Sequence, residues 1–185
     1  MKSKISVLKN SLSGDLLDGK FDNGRYSTDA SIYQIMPEAV ILPKNIEDIK
    51  KTIQFSQEHN IPILPRGGGT SQNGQTVNRA IVLDNSKYLN KIIEVDVKNQ
   101  TCLVEPGVVL DELNRFLKSY GLWFPVDVST SSRATIGGMA GNNSAGGRSI
   151  RYGIMRDNVI SIDALLSDAS EAHFGLSKKN ISGLQ

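Results

Sequence analysis

The sequence has little cysteine, little histidine and no long apolar run. Its one cysteine, Cys102, excludes an intramolecular disulfide and any zinc site built from several cysteines, and no other metal-ligand set is evident. No apolar segment approaches the roughly 20 residues of a membrane-spanning helix, and the N-terminus lacks the apolar core of a signal peptide. We therefore expect a cytoplasmic protein without a transmembrane segment or a bound metal.

A strong charge of one sign is also missing. The formal net charge is only +2, and charged residues are interspersed at 22% of the chain. Nucleic-acid-binding domains normally concentrate basic residues on one face, so this balance argues against nucleic acid as a partner. With 185 residues and 39% hydrophobic composition, the chain has the size of one large domain or two small ones.

The first half of the chain reads as a small α/β unit. The spacing of apolar residues predicts a helix within Ser3–Leu17, followed by a loop over Phe21–Met36. Short apolar runs predict strands at 37–43, 61–65 and 80–84, with a helix that begins after Asn45 and ends near Asn60. These strands predict a parallel sheet with a glycine-rich loop at one strand end, where open α/β sheets usually bind ligands.

The second half changes to antiparallel patterns. Alternating residues predict paired strands at 92–97 and 101–105, and a further pair at 159–166 and 171–174. An amphipathic helix is predicted over Val109–Tyr120, with Gly121 as its stop. We therefore predict an α+β fold of two subdomains, residues 1–88 and 89–185. A small parallel βαβ unit is expected in the first, and a larger, mainly antiparallel sheet with helices in the second.

The most informative segment of the first half is the glycine-rich loop, PILPRGGGTSQNGQTV, over Pro62–Val77. Three consecutive glycines allow the backbone to bend sharply and bring its N–H groups close to an anion. The segment nearly matches the P-loop of nucleotide triphosphatases, but Gln75 replaces the lysine and a strand follows in place of a helix. The dinucleotide-binding pattern of Rossmann folds also fails, because no matching glycine run precedes a helix.

A second small-residue segment, TIGGMAGNNSAGG, spans Thr135–Gly147. One explanation for such small residues is purely structural: they let a helix pack closely against a sheet, and no ligand is involved. Two such segments in one short chain, both rich in backbone donors and amides, favour instead one elongated ligand with a pyrophosphate. Nearby arginines could balance its charge: Arg66, Arg133, Arg148 and Arg151.

Four segments together resemble the FAD-binding domain of the FAD-linked oxidases, of the vanillyl-alcohol-oxidase type. They are PRGGGTSQNGQTV, EPGVVLDELN, GLWFPVDVSTSSRATIGGMAGNNSAGGRSIRYG and VISIDALLSD. Within this family the chain is most similar to the flavin part of D-2-hydroxyacid dehydrogenases, and Thr28–Pro43 resembles the long members that fuse flavin and iron–sulfur modules. The resemblance implies two α+β subdomains that hold FAD, in a fold that is not a Rossmann fold.

The resemblance also assigns cofactor-binding residues. In the first loop it implies pyrophosphate contacts; farther along it implies contacts to the pyrophosphate, ribityl chain, flavin and adenine. These residues are Arg66, Gly67, Gly68, Gly69, Thr70, Ser71, Gly74, Gln75, Pro125, Asp127, Thr135, Gly137, Gly138, Asn142, Asn143, Ser144, Gly146 and Val159. Some relatives attach FAD through a histidine in the first loop, but Thr70 and Ser71 stand there in this sequence, which implies noncovalent FAD.

The activity implied by the resemblance is oxidation of a small D-2-hydroxyacid by hydride transfer from C2 to flavin N5. An iron–sulfur domain or subunit is the implied electron acceptor, and redox partners could hold the protein at the membrane surface. Family enzymes continue with a cap domain, so substrate-binding and catalytic residues are expected beyond Gln185. Two alternatives are a noncatalytic FAD-binding or assembly module and a reductase of UDP-N-acetyl-enolpyruvylglucosamine; Thr28–Pro43 and GLWFPVD argue against the latter.

Overall fold

A computed structural model describes residues 2–176, and within these residues the chain divides into two compact units. Of the described residues, the first unit comprises 2–89 and 167–169, and the second comprises 90–166 and 170–176. Each unit has its own hydrophobic clusters. In the part of the chain described, no helix is long and apolar enough to cross a membrane, and no three His, Cys, Asp or Glu side chains gather as a metal site.

The first unit is a four-stranded mixed sheet with three helices. In chain order its elements are α1 (Lys2–Ser11), β1 (Asp15–Leu17), α2 (Lys20–Tyr26), β2 (Ala39–Leu42), α3 (Ile46–His59), β3 (Ile63–Arg66) and β4 (Ile81–Asp84). The strand order is β1-β2-β4-β3, with β1 antiparallel to β2 and the other pairs parallel. This confirms the predicted parallel βαβ unit.

Burial explains why the central strands read as uninterrupted apolar runs. All four residues of β2 and all four of β4 are buried, because both faces of these strands are covered. Helix α3 begins as predicted, with the Asn45 side chain accepting the Asp48 backbone N–H at 2.9 Å. The Asp48 carboxylate is fully buried and accepts the amides of Ser13, Gly14 and Lys44, so it joins the start of α3 to β1 and β2.

Two predictions in the first forty residues are wrong. The helix predicted to reach Leu17 ends at Ser11, and Asp15–Leu17 forms the edge strand β1. A side chain at Gly14 would collide with the Leu42 carbonyl, so glycine is needed where the chain comes alongside β2. The loop predicted over Phe21–Met36 begins with α2, which the apolar periodicity did not reveal because none of its residues is buried.

Up to residue 176, the second unit contains two antiparallel hairpins and four α-helices. Strands β5 (Ile92–Asp96) and β6 (Thr101–Val104) form one hairpin; β7 (Ser161–Leu165) and β8 (Glu171–Gly175) form the other. Between them lie α4 (Leu110–Leu117), a 3₁₀ turn at Lys118–Tyr120, α5 (Ile136–Gly141), α6 (Ser149–Tyr152) and α7 (Met155–Asn158). The antiparallel pairing is confirmed. The described residues pair as two separate hairpins, however, and not as one larger sheet.

Helix α4 follows the sequence prediction closely. Leu110, Leu113 and Leu117 are buried on one face, and Gly121 ends the following turn with a φ of 71°. Leu113 and Leu117 pack with Val108 and with residues of the β5–β6 hairpin, while Leu110 belongs to a second cluster. A second cluster around Val126, Met139 and Met155 holds the short helices α5 and α7 together. Met139 of the small-residue segment is therefore buried against residues that come before and after the segment in the chain.

Candidate functional site

The glycine loop, defined here as Gly67–Thr76, leaves the carboxyl end of β3 and leads toward β4. Gly69 and Gly74 have φ values of 64° and 72°, a conformation that side chains with a Cβ rarely adopt. Within the loop, Ser71 Oγ donates to Gln75 Oε1 at 2.8 Å and accepts the amides of Asn73 and Gln75. The loop is therefore an ordered turn whose polar side chains bond to each other.

The backbone amides of the glycine loop are the feature that points to an anion. The N–H groups of residues 67–72 donate to no acceptor in the described part of the chain, although most buried or half-buried amides in proteins are paired. Successive unpaired amides in a bend form a concave site for an anion such as a phosphate. The loop thus offers backbone donors that an anion could accept.

Arg66 lies beneath the loop, and its guanidinium is committed to backbone carbonyls. Nη1 donates to the carbonyls of Tyr26 at 3.2 Å and Thr76 at 3.0 Å, and Nη2 donates to the Thr28 carbonyl at 2.8 Å. Burial lowers the pKa of Arg66, and the nearby Asp84 carboxylate partly opposes this shift. The side chain predicted to contact pyrophosphate therefore makes its described bonds to the protein backbone.

The segment Thr28–Gln34, which we call the strap, runs alongside the glycine loop. Its two ends pair with each other. Asp29 Oδ2 accepts both the amide and the hydroxyl of Thr76, at 3.3 and 3.0 Å, and Ala30 N donates to the Gly69 carbonyl at 3.2 Å. Sequence reasoning missed these contacts. The polar Thr28-Asp29 pair was part of the family resemblance, but nothing in the sequence shows that it contacts a loop forty residues later.

In the second segment, helix α5 uses most of the backbone donors for itself. The buried Thr135 side chain accepts the Gly138 amide at 3.2 Å, and the Gly137 amide donates to the Pro106 carbonyl at 2.8 Å. The amides of residues 142–144 donate to carbonyls within α5. A Cβ at Gly137 would lie 2.5 Å from the Pro106 side chain. Close packing within the unit thus explains Gly137 without a ligand.

Asp127 and Arg148 form the main polar contact near the predicted flavin residues. Asp127 Oδ1 accepts the Arg148 amide at 2.9 Å, and its other oxygen lies 3.5 Å from Arg148 Nε. The guanidinium also lies over the Trp123 ring, 5.1 Å from its centroid. Gly146 approaches the Asp127 backbone so closely that an added Cβ would be 2.5 Å from its carbonyl group. Pro125, two residues before Asp127, is half-buried.

The remaining predicted residues lie toward the end of α5 and beyond it. Asn143 has a φ of 47° and its Oδ1 accepts the Arg156 amide at 3.1 Å, while Asn142 lies 3.5 Å from Ser144 Oγ. Asn143 and Val159 line an open groove of about 310 Å³. The structure therefore groups the predicted residues by unit. Those of the glycine loop lie in the first unit, and those from Pro125 to Val159 lie in the second.

The chain belongs to the FAD binding domain family, which it matches over residues 37–175. FAD is thus the cofactor of this domain, and the resemblance found in the sequence is confirmed. Among curated proteins, the chain is 40% identical over 156 residues to D-2-hydroxyglutarate dehydrogenase of Haemophilus influenzae, covering 83% of this chain and 15% of that protein. It is 41% identical over 146 residues to glycolate oxidase subunit GlcD of Bacillus subtilis, covering 77% and 31%.

Solved structures show the same fold at low sequence identity. An alkyldihydroxyacetonephosphate synthase superposes with a TM-score of 0.82 at 23% identity, over 98% of this chain and 36% of that one. The 6-hydroxy-D-nicotine oxidase of Arthrobacter nicotinovorans gives 0.77 at 18% identity, over 89% and 36%. The predicted α+β class is confirmed. The aligned part of the chain spans less than a third of the length of the D-2-hydroxyglutarate dehydrogenase and of GlcD.

Proposed function

We propose that this chain is the FAD-binding portion of a flavin-dependent oxidoreductase that oxidises a D-2-hydroxyacid. The observation that carries the proposal is the row of unpaired amides at residues 67–72, within a chain that matches the FAD binding domain family. These amides bind the pyrophosphate as hydrogen-bond donors, and they do so without a lysine. The loop contacts named in the sequence, from Gly67 to Gln75, are part of this proposal.

The second unit supplies the other proposed FAD contacts. The side chains of Asn142 and Asn143 are exposed at the end of α5 and carry donors and acceptors suited to the edges of a flavin or ribityl chain. The remaining proposed contacts are Pro125, Asp127, Thr135, Gly137, Gly138, Ser144, Gly146 and Val159. Because Thr70 and Ser71 stand in the first loop and the histidines lie at positions 59 and 173, we propose noncovalent FAD.

The substrate class follows from the relatives. They are named as dehydrogenases or oxidases of 2-hydroxyglutarate, lactate and glycolate, which share a hydroxyl on C2 beside a carboxylate. Bound FAD supplies the hydride acceptor for such a carbon, while the protein binds and orients the reactants. The residues described here hold the cofactor, and the groups that bind the substrate carboxylate and take the hydroxyl proton are proposed to lie beyond this chain.

We further propose an iron–sulfur domain or subunit as the electron acceptor. Aligned regions of similar length, 156 and 146 residues, make up 15% of the D-2-hydroxyglutarate dehydrogenase and 31% of GlcD, so the former is about twice as long and has room for a further module. The likeness of Thr28–Pro43 to fused flavin and iron–sulfur proteins supports this choice. A cytoplasmic location, with contact to the membrane through redox partners, stays a prediction from the sequence.

The substitution Gly68→Val tests the proposed cradle. Gly68 is exposed and is not among the residues with positive φ, so valine adds bulk over the amides with little strain in the backbone. We expect FAD binding to be lost in a fluorescence-quenching titration, since the side chain blocks the approach of the pyrophosphate. Gly24→Val is the matched control, because a Cβ there meets no atom within 4 Å. Unchanged FAD affinity in Gly68→Val would show that the loop does not bind the cofactor.

A further inference from the structure

Arg66 makes contacts that differ from those of a phosphate ligand. Three of its N–H groups donate to backbone carbonyls, those of Tyr26, Thr28 and Thr76. These carbonyls come from the last residue of α2, the first residue of the strap and the last residue of the glycine loop. One planar guanidinium therefore ties together two segments that are far apart in the sequence, and lysine could not reproduce this because it lacks the fork of donors.

Gly69 rests directly against this guanidinium. A Cβ at Gly69 would lie 2.5 Å from Nη2 of Arg66 and 3.1 Å from its Cζ, so the glycine lets the loop descend onto the planar group. The Arg66 Cζ also lies 5.2 Å from the centroid of the Tyr26 ring. The guanidinium is thus enclosed by an aromatic ring, a glycine and three carbonyls, which fixes its position beneath the loop.

The strap orients the peptide units of the loop. The Gly69 carbonyl accepts the amide of Ala30, and in a trans peptide the N–H of the following residue points the opposite way. The Thr70 amide is therefore directed away from the strap. Asp29 holds Thr76 by two hydrogen bonds, and the ring of Tyr33 packs so closely on Gly74 that a Cβ there would lie 2.6 Å from Cδ2.

The charge of Asp29 is consistent with a carboxylate that holds the loop in place and does not contact the ligand. Burial of this carboxylate raises its pKa, but hydrogen bonds from Ser31 and Thr76 outweigh burial, and the net effect is a lowered pKa. Asp29 is thus an anion beside a loop that is to receive another anion. Its position is explained by the bonds it makes to the end of the loop, since a carboxylate would repel a pyrophosphate that it contacted directly.

We propose that Arg66 and Asp29 are positioning residues, which fasten the strap to both ends of the glycine loop and hold its amides in the arrangement that receives pyrophosphate. Arg66 then acts through the loop backbone and not as a charge on the phosphate. This inference rests on the proposed function only for its ligand; the fastening of the loop can be measured in the protein without FAD.

The first experiment compares Arg66→Lys with Arg66→Gln, and Arg79→Lys serves as the control on an exposed arginine of the same unit. If Arg66 positions the loop, both substitutions weaken FAD binding by about tenfold to one hundredfold, which is the range for losing hydrogen bonds to a charged group. The dependence of FAD affinity on salt then stays as in the wild-type protein. Near wild-type affinity in Arg66→Lys, together with a weaker salt dependence in Arg66→Gln, would overturn the proposal in favour of a direct charge contact.

The second experiment keeps Arg66 and changes Thr76, which guards against a variant that fails to fold. Thr76→Val removes the hydroxyl bonded to Asp29 at nearly constant shape, and Thr76→Ser restores it. In the protein without FAD, ¹⁵N order parameters of the amides at residues 68–72 should fall in Thr76→Val and recover in Thr76→Ser. Equal order parameters in the two variants and the wild-type protein would refute the positioning role.

The two proposals fail in different ways. If added FAD shifts none of the wild-type amide resonances at residues 67–72, the proposed cofactor site is wrong, whatever the order parameters show. If FAD shifts these resonances but the Arg66 and Thr76 variants keep wild-type affinity and wild-type order parameters, the cofactor site stands and the positioning role is wrong.

Discussion

Gly137 allows a direct test of why glycines occur in the second small-residue segment. It was predicted to line the FAD pyrophosphate, yet a Cβ at this position would lie 2.5 Å from the Pro106 Cβ and 2.9 Å from both its Cα and its carbonyl oxygen. Backbone atoms cannot rotate away as a flexible side chain would. Gly141, in the same helix, is the matched control, because nothing lies within 4 Å of its ideal Cβ.

The two substitutions should change the free energy of unfolding in opposite directions. Alanine is a better helix former than glycine, and at the end of a short helix the gain for Gly141→Ala is about 0.5 kcal/mol. Gly137→Ala has a similar gain, but forcing a methyl group into packed backbone costs about 1–3 kcal/mol. Since the overlap is with Pro106 backbone, we take the upper half of this range. Gly137→Ala should therefore destabilise the second unit by about 1.5–2.5 kcal/mol, the upper half of the cost less the helix gain.

Trp123 provides the assay. It is the only tryptophan of the sequence and lies in the second unit, with its ring 5.3 Å from that of Tyr152. Its fluorescence should follow urea unfolding of this unit, and the midpoint should fall for Gly137→Ala and rise slightly for Gly141→Ala. If Gly137→Ala is as stable as Gly141→Ala but loses FAD, the glycine is there for the ligand and the packing explanation is refuted.

Three further predictions concern single side chains. Tyr26→Phe should destabilise the first unit by about 2 kcal/mol, measured by amide exchange in β2 and β4, because it leaves the buried Asp84 carboxylate without its 2.7 Å hydroxyl donor. Hydrogen bonds to Asp163 and to a backbone carbonyl raise the pKa of His173. Protonated His173 therefore stabilises the β7–β8 hairpin below about pH 6.5, and this stabilisation is lost as the pH rises through the raised pKa. His173→Gln should abolish this pH dependence of the urea midpoint. Burial raises the pKa of the Cys102 thiol, so it should react slowly with a thiol reagent until urea unfolds the second unit.

Each of the three has an outcome that contradicts it. An unchanged exchange rate in Tyr26→Phe, with the exposed Tyr120→Phe as control, would show that the hydrogen bond adds nothing. A His173 resonance that titrates at or below its ordinary pKa would remove the basis of the pH effect. Reaction of Cys102 at the rate of a free thiol in the native protein would show that the thiol is accessible.

The sequence predicted the helices and strands that are specified by neighbouring residues, such as a capping side chain, an apolar repeat or a terminating glycine. The Asn45 cap, helix α4 with its Gly121 stop, and the apolar runs of the two fully buried strands, β2 and β4, depend on residues close in the chain. The short strand at Asp15–Leu17 depends on a distant partner, β2, and helix α2 has no buried face to create a periodic pattern. Neither could be read from its own residues.

The candidate site shows the same contrast between features specified by nearby residues and features that depend on distant contacts. The two glycine segments predicted a site for an anion, because glycine lets the backbone approach one closely. The resemblance of four longer segments then identified the family and FAD. The predicted boundary near residue 88 and the full set of contact residues stay predictions. The division of the structure after Leu89 supports the boundary, and the unpaired loop amides support the first group of contacts.

By itself, the sequence determined the class of fold and the cofactor, and it indicated the segment that we propose receives the pyrophosphate. Only the tertiary structure shows what the residues of these segments contact. Arg66 looked like a phosphate ligand because a basic residue stood next to three glycines, yet its donors are bound to carbonyls of Tyr26, Thr28 and Thr76. Gly137 is a proposed cofactor contact, and the structure shows that it also lies against Pro106. In both cases the decisive partner is distant in the chain, and such contacts exist only once the backbone has folded.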